Sequence, residues 1–370
     1  MLFKKLSKKI TAGITAAALG FSLTFSVPAT AEAISVGDAV GIGATIFSAS
    51  QAYKQLDKQF KAFNDTEEGR EQLYQQYREQ EGVCTDYEIN ARMDRIMTNL
   101  TRAVGQVDES IYDKPYKYFV SNKEELNAFC SLGHVMVVNK GAFNLLTTDD
   151  EIAAIVGHEM GHGQKNHVIK GNKSALNKAV FAQLGSIALN ANAITSALIN
   201  VTTTNSIQHD NKKLETEADD LGWEYMLHTN YNIGATAAVM QRLSELYGGK
   251  ERNKFEAILK PSNHPNTDKR RDNYVKKLYE YSGKHATAKD GVVTINGKTF
   301  TTVAATDYMS SAERAYFVLG NLAKAYHNGK NHATAEVYNG TVYLDDQPII
   351  TPAYGDEDAY TLADRLNEIK

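Results

Sequence analysis

Two histidines with a glutamate between them give this sequence its clearest chemical signal. His158 and His162 are four residues apart, and Glu159 directly follows the first histidine. Residues i and i+4 of an α-helix share one face, so both imidazoles could reach a single zinc ion. Glu159 could then contact the metal-bound water rather than the metal. The alternative is two surface histidines on an ordinary helix, because so short a pattern also arises by chance.

A catalytic zinc site usually has three protein ligands and one open position for water, so a third ligand is needed. His167 comes only five residues after His162. On a continued helix, His167 would point about 180° away from His158, at roughly 100° per residue. We therefore expect His167 to be structural or to support a ligand from behind, rather than to bind the metal.

The better candidate for the third ligand is Glu215, because a glutamate from a second helix completes a His-His-Glu site. Asp219 follows Glu215 at i+4 and could accept the spare N–H of a zinc-bound histidine. The alternative is that these acidic residues form a solvated helix face. That alternative fits Glu217 and Asp220 well, whereas Glu215 borders an apolar stripe.

The flanking sequence predicts the elements that must hold these residues. Thr148 and Glu151 fit a capping box, and apolar residues recur after them at helical spacing, which predicts a buried helix that carries the histidine pair. The apolar segment over residues 174–201 is interrupted by polar residues. We therefore predict a buried helix there and no membrane span. Further predicted elements are helices over 88–104, 174–201 (the interrupted segment), 214–225 and 235–247, and strands over 116–121 and 134–138.

The first 33 residues differ from the rest. Four lysines, an Ala-rich apolar stretch and small residues up to Ala33 are typical of a cleaved secretory signal peptide. The pattern predicts an exported protein, periplasmic or extracellular, without a stable membrane span after cleavage; the alternative is an uncleaved anchor. The formal net charge of −4, without a Lys/Arg cluster, argues against nucleic acid and anionic membranes as partners.

The chain has two cysteines, Cys84 and Cys130. An even count in an oxidising compartment favours a disulfide, so we expect Cys84 and Cys130 to pair. Such a bridge, close to the strand at 134–138, could also control activity by redox state. The alternative is two buried free thiols.

Four blocks in order resemble the HtpX-type zinc metallopeptidases, a family that includes the CAAX prenyl endopeptidases and the BepA-like periplasmic proteases. The blocks are Asn127–Phe129 with Gly133, Glu151–His162, Glu215–Asp219 and His264–Arg270, and His167 also falls on a family position. Four ordered blocks are far more specific than the first motif alone.

This resemblance implies a role for each matched side chain. His158, His162 and Glu215 would bind one zinc ion, Glu159 would be the catalytic base, and Asp219 would support a ligand from behind.

The resemblance also implies two features around the metal. His264 would lie near the zinc, where the matching histidine of BepA-like relatives can occupy the open position and hold the enzyme latent. The strand at 134–138 would be the sheet edge that pairs with an extended substrate. His264, Arg270 or a tyrosine could stabilise the oxyanion.

The sequence departs from the family in three ways. It has Cys130–Gly133 where members usually have Pro-Gly-Gly, which leaves the local turn open. The membrane helices of HtpX and the prenyl proteases are not evident, so prenylated substrates are not expected. The tetratricopeptide domain of BepA-like proteins is not evident either.

The residue pattern changes at about residue 284. Asn296-Gly297, Asn339-Gly340 and Asp345-Asp346 are turn signals between strand-like segments, and helices are predicted over 310–327 and around Leu366. No solenoid-type repeat is evident. We therefore predict a small α+β domain after the helical part of the chain.

Together these patterns predict a mainly helical α+β fold: a gluzincin-like metallopeptidase domain with a small edge-exposed sheet, plus a small C-terminal α+β domain. The expected boundaries are 1–33 for the signal peptide, 34–283 for the metallopeptidase domain and 284–370 for an accessory domain of unknown role.

The expected function is that of a zinc metalloendopeptidase, with one Zn²⁺ per chain, acting on unfolded or extended polypeptides in quality control of envelope or secreted proteins. The alternatives are a chaperone-like protein that holds unfolded chains and a latent protease silenced by His264. An intact Glu159 favours catalysis, because binding alone does not need a base.

Overall fold

The computed structural model describes residues 57–170 without residue 59, 212–248 and 267–370. The predicted signal peptide, the predicted helix over 174–201 and His264 lie outside these ranges. Within them, no helix combines the length and apolar character needed to cross a bilayer.

Helices dominate the part before residue 284, as expected. They are α1 (Glu67–Glu81), α2 (Tyr87–Val107), α3 (Ser110–Asp113), α4 (Lys140–Leu145), α5 (Asp149–Gln164), α6 (Lys212–Leu227), α7 (Ala235–Gly248) and α8 (Thr267–Tyr281). The predicted capping box at the start of α5 is confirmed, because the Thr148 side chain accepts from the Glu151 N–H and Glu151 bonds back to Thr148.

A three-stranded sheet packs beside these helices. Its strands are β1 (Lys117–Ser121), β2 (Ala128–Cys130) and β3 (Val135–Asn139), in the order β1-β3-β2. β3 runs parallel to β1 and antiparallel to β2. The expectation that the strand at 134–138 is an edge is therefore wrong, because β3 lies between β1 and β2, which are the outer strands.

The expected Cys84–Cys130 disulfide is also wrong, since both thiols are free and buried. Cys84 bonds to Val120 on the outer side of β1, whereas Cys130 lies in β2 at the other edge of the sheet. Three strand spacings separate them, about 14 Å at roughly 4.8 Å each. A disulfide needs Cα atoms within about 7 Å.

Glycines let α5 and α6 pack unusually close together. A Cβ at Gly161 would lie 2.9 Å from the carbonyl oxygen of Ala218, and a Cβ at Gly222 would lie 3.0 Å from the backbone nitrogen of His158. These distances leave no space for a methyl group. The two helices therefore approach each other where the predicted metal ligands are located.

The C-terminal part consists of two units with the same topology. Each has a three-stranded antiparallel meander followed by a helix: β4 (Ala286–Lys289), β5 (Val292–Ile295), β6 (Lys298–Thr302) and α9 (Ser311–His327), then β7 (Ala335–Tyr338), β8 (Thr341–Leu344), β9 (Gln347–Ile350) and α10 (Ala359–Ile369). Sequence analysis missed this twofold repetition.

The predicted turns of these meanders are confirmed. Asn296-Gly297 and Asn339-Gly340 join consecutive strands, and all four residues have φ between 48° and 77°. Positive φ at both central positions is the geometry of a type I′ turn, which Asn-Gly favours. Asp345, with φ of 56°, begins the third predicted turn.

A buried arginine connects the C-terminal units to the active-site helix. Arg242 of α7 lies 3.2 Å from the carboxylate of Glu151, forms an ion pair with Glu313 and donates to the carbonyl of Tyr308 over 2.8 Å. Glu151 and Glu313 are the capping-box glutamates of α5 and α9. The apolar core also continues from α5 and α7 into α9, and the division at residue 283 stays a prediction.

The glycine contact can be tested with a matched pair of substitutions in α5. In Gly161→Ala the added methyl meets backbone, so we expect a loss of about 1–3 kcal/mol in the free energy of unfolding. In Gly157→Ala the nearest atom is 3.7 Å away. That variant should be unchanged or stabilised by up to about 1 kcal/mol, because alanine favours helix. Urea unfolding followed by circular dichroism measures both, and equal stabilities would contradict this account.

Candidate metal centre and active site

The predicted metal ligands converge on one point. The Nε2 atoms of His158 and His162 are 3.1 Å apart, and the Glu215 carboxylate oxygens lie 3.3 Å from His162 Nε2 and 3.6 Å from His158 Nε2. All three side chains are buried. In the described part of the chain, no other trio of histidine, cysteine and acidic side chains meets in this way.

These separations fit a zinc ion. Ligand atoms placed tetrahedrally about 2.0–2.1 Å from zinc lie roughly 3.3–3.4 Å from one another. Two imidazole nitrogens and one carboxylate are also a donor set that zinc uses in catalytic sites. The residues present therefore fit the metal that the sequence predicts.

His158 is held from behind by a network of charged groups. Its Nδ1 lies 2.9 Å from Asp219. Arg270 binds the same carboxylate through two nitrogens, at 2.8 and 2.6 Å, and the Tyr274 hydroxyl donates to it over 2.8 Å. When the Nδ1–H donates to Asp219, the lone pair of the neutral ring lies on Nε2, on the side of Glu215 and His162.

Electrostatic interactions hold His158 and Asp219 in the protonation states that binding of a cation requires. Burial lowers the pKa of His158 to about 3, and the charge of Arg270 adds to that effect. Burial raises the pKa of Asp219, but the charge of Arg270 and the hydrogen bond from His158 outweigh burial, so that this pKa lies well below its usual range. The imidazole is then neutral and the carboxylate ionised near pH 7, as a metal site requires.

His162 is supported differently. Its Nδ1 lies 2.9 Å from Nδ1 of His167, and Nε2 of His167 lies 3.2 Å from the carboxylate of Glu217. The helix that carries His162 ends at Gln164, and Asn166 has φ of 51°, so His167 turns back instead of pointing away.

The role expected for His167, a contact behind a ligand, agrees with this geometry. The solvated-face interpretation of Glu217 is incomplete, because the side chain is partly exposed but also bonds to the buried His167.

Glu159 lies beside the metal-ligand trio and against the sheet edge. The Cys130 N–H donates to its carboxylate over 3.2 Å. Backbone groups of Asn127 and Ser131 bond to β3. Because strand residues direct their backbone groups alternately to the two sides, those of Ala128 and Cys130 point to the open edge of β2. The buried carboxylate of Glu159 thereby lies at the open edge of β2, where the Cys130 N–H fixes it.

A largely apolar cleft adjoins His158 and Glu159. It has a volume of about 70 Å³, and most of its lining surface is apolar. Its lining comes from residues 126–128, from Ala154 and Ile155 of α5, and from four side chains of α7, which are Thr236, Val239, Met240 and Leu243. Arg270 and Tyr274 of α8 complete the lining. The cleft can hold an apolar side chain next to the metal-ligand trio.

Sequence reasoning thus identified the residues that the structure brings together: His158, His162, Glu215, Glu159 and Asp219. It placed Arg270 near the site but missed its ion pair with Asp219. Tyr274 was also missed, although it follows Arg270 by one helical turn and so faces the same way. His264 lies outside the described residues.

Comparison with known proteins agrees with this geometry. The model of the family described as Peptidase family M48 matches residues 88–277. Metalloprotease LoiP of Escherichia coli K12 is 26% identical over 223 residues, which are 59% of this chain and 82% of LoiP.

Two other relatives match over shorter stretches. The mitochondrial metalloendopeptidase OMA1 of Arabidopsis thaliana is 27% identical over 134 residues, which are 36% of this chain and 27% of OMA1. The beta-barrel assembly-enhancing protease of E. coli K12 is 22% identical over 137 residues, 35% of this chain and 28% of that protein. The chain thus spans less than a third of these two relatives. Since the family model covers more than half of the chain and contains the whole site, the protein is a metallopeptidase of family M48.

Proposed function

We propose that this chain is a zinc-dependent endopeptidase that cleaves extended segments of incompletely folded polypeptides. The observation that carries the proposal is the meeting of His158, His162 and Glu215 at ligand distances, with the carboxylate of Glu159 beside them. In the proposal these three side chains bind one Zn²⁺, and Glu159 is the catalytic base.

In the proposed reaction the metal and the protein side chains have separate roles. When bound, zinc would polarise the scissile carbonyl and lower the pKa of the attacking water. Glu159 takes the proton of that water and returns it to the leaving amine. The Cys130 N–H holds the Glu159 carboxylate in one orientation during both transfers. Arg270 keeps Asp219 ionised behind His158, so it acts on a ligand rather than on the substrate.

The sheet edge supports the choice of an extended substrate. A polypeptide strand can pair with the open edge of β2 through the backbone groups of Ala128, which point away from β3. Its neighbouring side chain can then enter the apolar cleft between Ala154 and Met240. Extended backbone and exposed apolar side chains occur together in unfolded chains, and this combination favours such substrates.

We also propose an exported location and a role in quality control of envelope or secreted proteins. The support is the signal-peptide pattern of residues 1–33, together with the likeness to a protease named for enhancing beta-barrel assembly.

The base can be tested by Glu159→Gln, which keeps the size of the side chain and removes its basicity. We expect bound zinc to stay at one ion per chain, while cleavage of labelled casein falls at least about 100-fold. Glu224→Gln, at an exposed position of α6, is the matched control and should cleave like wild type. Full activity of Glu159→Gln would refute the proposal. Bound but uncleaved casein in wild type would favour a holding function.

The cleft can be tested by Ala154→Phe, which fills it from the α5 side. For peptides with phenylalanine or leucine beside the scissile bond, kcat/KM should fall at least about 10-fold, because one apolar contact contributes roughly that much discrimination. Matched peptides with alanine at the same place serve as the control and should lose less. Equal losses for both sets of peptides would show that the cleft does not receive the side chain.

A further inference from the structure

The two histidines of the metal-ligand trio are supported to different extents. His158 bonds directly to Asp219, a carboxylate whose side chain is 10% exposed. Behind its ring, on the Nδ1 side, His162 contacts His167, and His167 in turn contacts the carboxylate of Glu217. His167 is completely buried. The arrangement behind His162 therefore has one more side chain than the arrangement behind His158, and the sequence did not predict a part for Glu217 in it.

The hydrogen-bond donors along this chain can be assigned in one consistent way. His162 directs Nε2 at Glu215 and His158, so a metal ligand at Nε2 leaves the proton on Nδ1. Nδ1 of His167 must then accept a hydrogen bond from that N–H. The ring proton of neutral His167 is therefore on Nε2. That N–H faces the carboxylate of Glu217, and an ionised carboxylate can accept a hydrogen bond but cannot donate one. Each link thus fixes the tautomer of the next.

We propose that His167 and Glu217 are positioning residues that fix the tautomer and ring orientation of His162 for metal binding. This inference rests on the proposed function, since it assumes that His162 is a metal ligand. Neither residue touches substrate in this proposal. They act through His162, as partners of metal-bound histidines generally do.

The exposure of Glu217 indicates what it contributes. Its side chain is 38% exposed, so solvent screens its charge more than that of Asp219. We therefore assign its effect mainly to the accepted hydrogen bond. A neutral acceptor of the same shape should restore most of the effect, and a side chain without an acceptor should not.

The test compares four variants with one control. His167→Leu removes both links, Glu217→Ala removes the terminal acceptor, Glu217→Gln restores an acceptor, and the double variant His167→Leu/Glu217→Ala measures coupling. Asp220→Ala is the control, since Asp220 lies on the same helix and pairs with Lys277 instead. Zinc affinity is measured by competition with a chromophoric chelator, and the absorption spectrum of the Co²⁺-loaded proteins reports ligand geometry. Thermal unfolding of the metal-free proteins checks the fold.

We expect His167→Leu to weaken zinc binding about 10–100-fold and to change the Co²⁺ spectrum. Glu217→Ala should weaken zinc binding less, and Glu217→Gln should stay close to wild type. In the double variant the loss should not exceed that of His167→Leu, because a relay has no second link once the first is absent. Asp220→Ala should bind like wild type.

Unchanged affinity and spectrum in His167→Leu would overturn the inference, as would losses that add in the double variant. If His167→Leu does not fold, the comparison of Glu217→Ala with Glu217→Gln is the deciding test. Equal zinc affinity of these two variants would overturn the inference. These outcomes differ from failure of the proposed function, which would appear as wild-type protein that binds no zinc or as full activity of Glu159→Gln.

Discussion

The close contact between α5 and α6 is the constraint on which the site depends. The ligand atoms of a metal must meet within about 3.4 Å, although they come from two separate helices. At Gly161 and Gly222 the backbones approach so closely that no side chain fits between them. Short reach then suffices: Glu215 and Asp219 extend from one helix directly to the histidines of the other. Larger residues at these two glycines would separate the helices and place the carboxylates out of range.

Burial of so many ionisable groups is tolerated because each has a partner. Asp219 has Arg270, His158 and Tyr274 around it, so the cost of desolvating its charge is offset by hydrogen bonds. Glu159 is held by a backbone N–H. The polar groups form a connected network, whereas the cleft beside them is apolar. This division separates a rigid metal site from a surface that can accept different side chains.

The sequence predicted the local features of this molecule well, because each depends on neighbours in the chain. The capping box at Thr148, the shared face of His158 and His162, and the Asn-Gly turns all follow from spacing alone. Glu215 could be chosen because it borders an apolar stripe, which is also a local property. The family resemblance supported the same set of residues.

Features that depend on distant partners were not predicted. A strand pattern at 134–138 does not say whether its neighbours occupy one side or both, and the edge position that the resemblance implied for this strand was wrong. Glu217 looked solvated because its partner, His167, reaches it only after the chain turns at Asn166. The predicted Cys84–Cys130 disulfide was wrong for the same reason, since an even number of cysteines says nothing about the distance between them. The two C-terminal units share topology while most of their residues differ, which hid the repetition.

The position of Arg242 has a consequence for protein synthesis. The N-terminal cap of the active-site helix is completed by a guanidinium that also needs Glu313 and the carbonyl of Tyr308, which are made much later. A growing chain that has not yet reached those residues leaves Arg242 with Glu151 as its carboxylate partner but without Glu313. Contacts between such distant positions also form late in folding. The full set of partners of Arg242 is thereby available only after the first C-terminal unit has been made, so the N-terminal end of α5 gains this support late in synthesis.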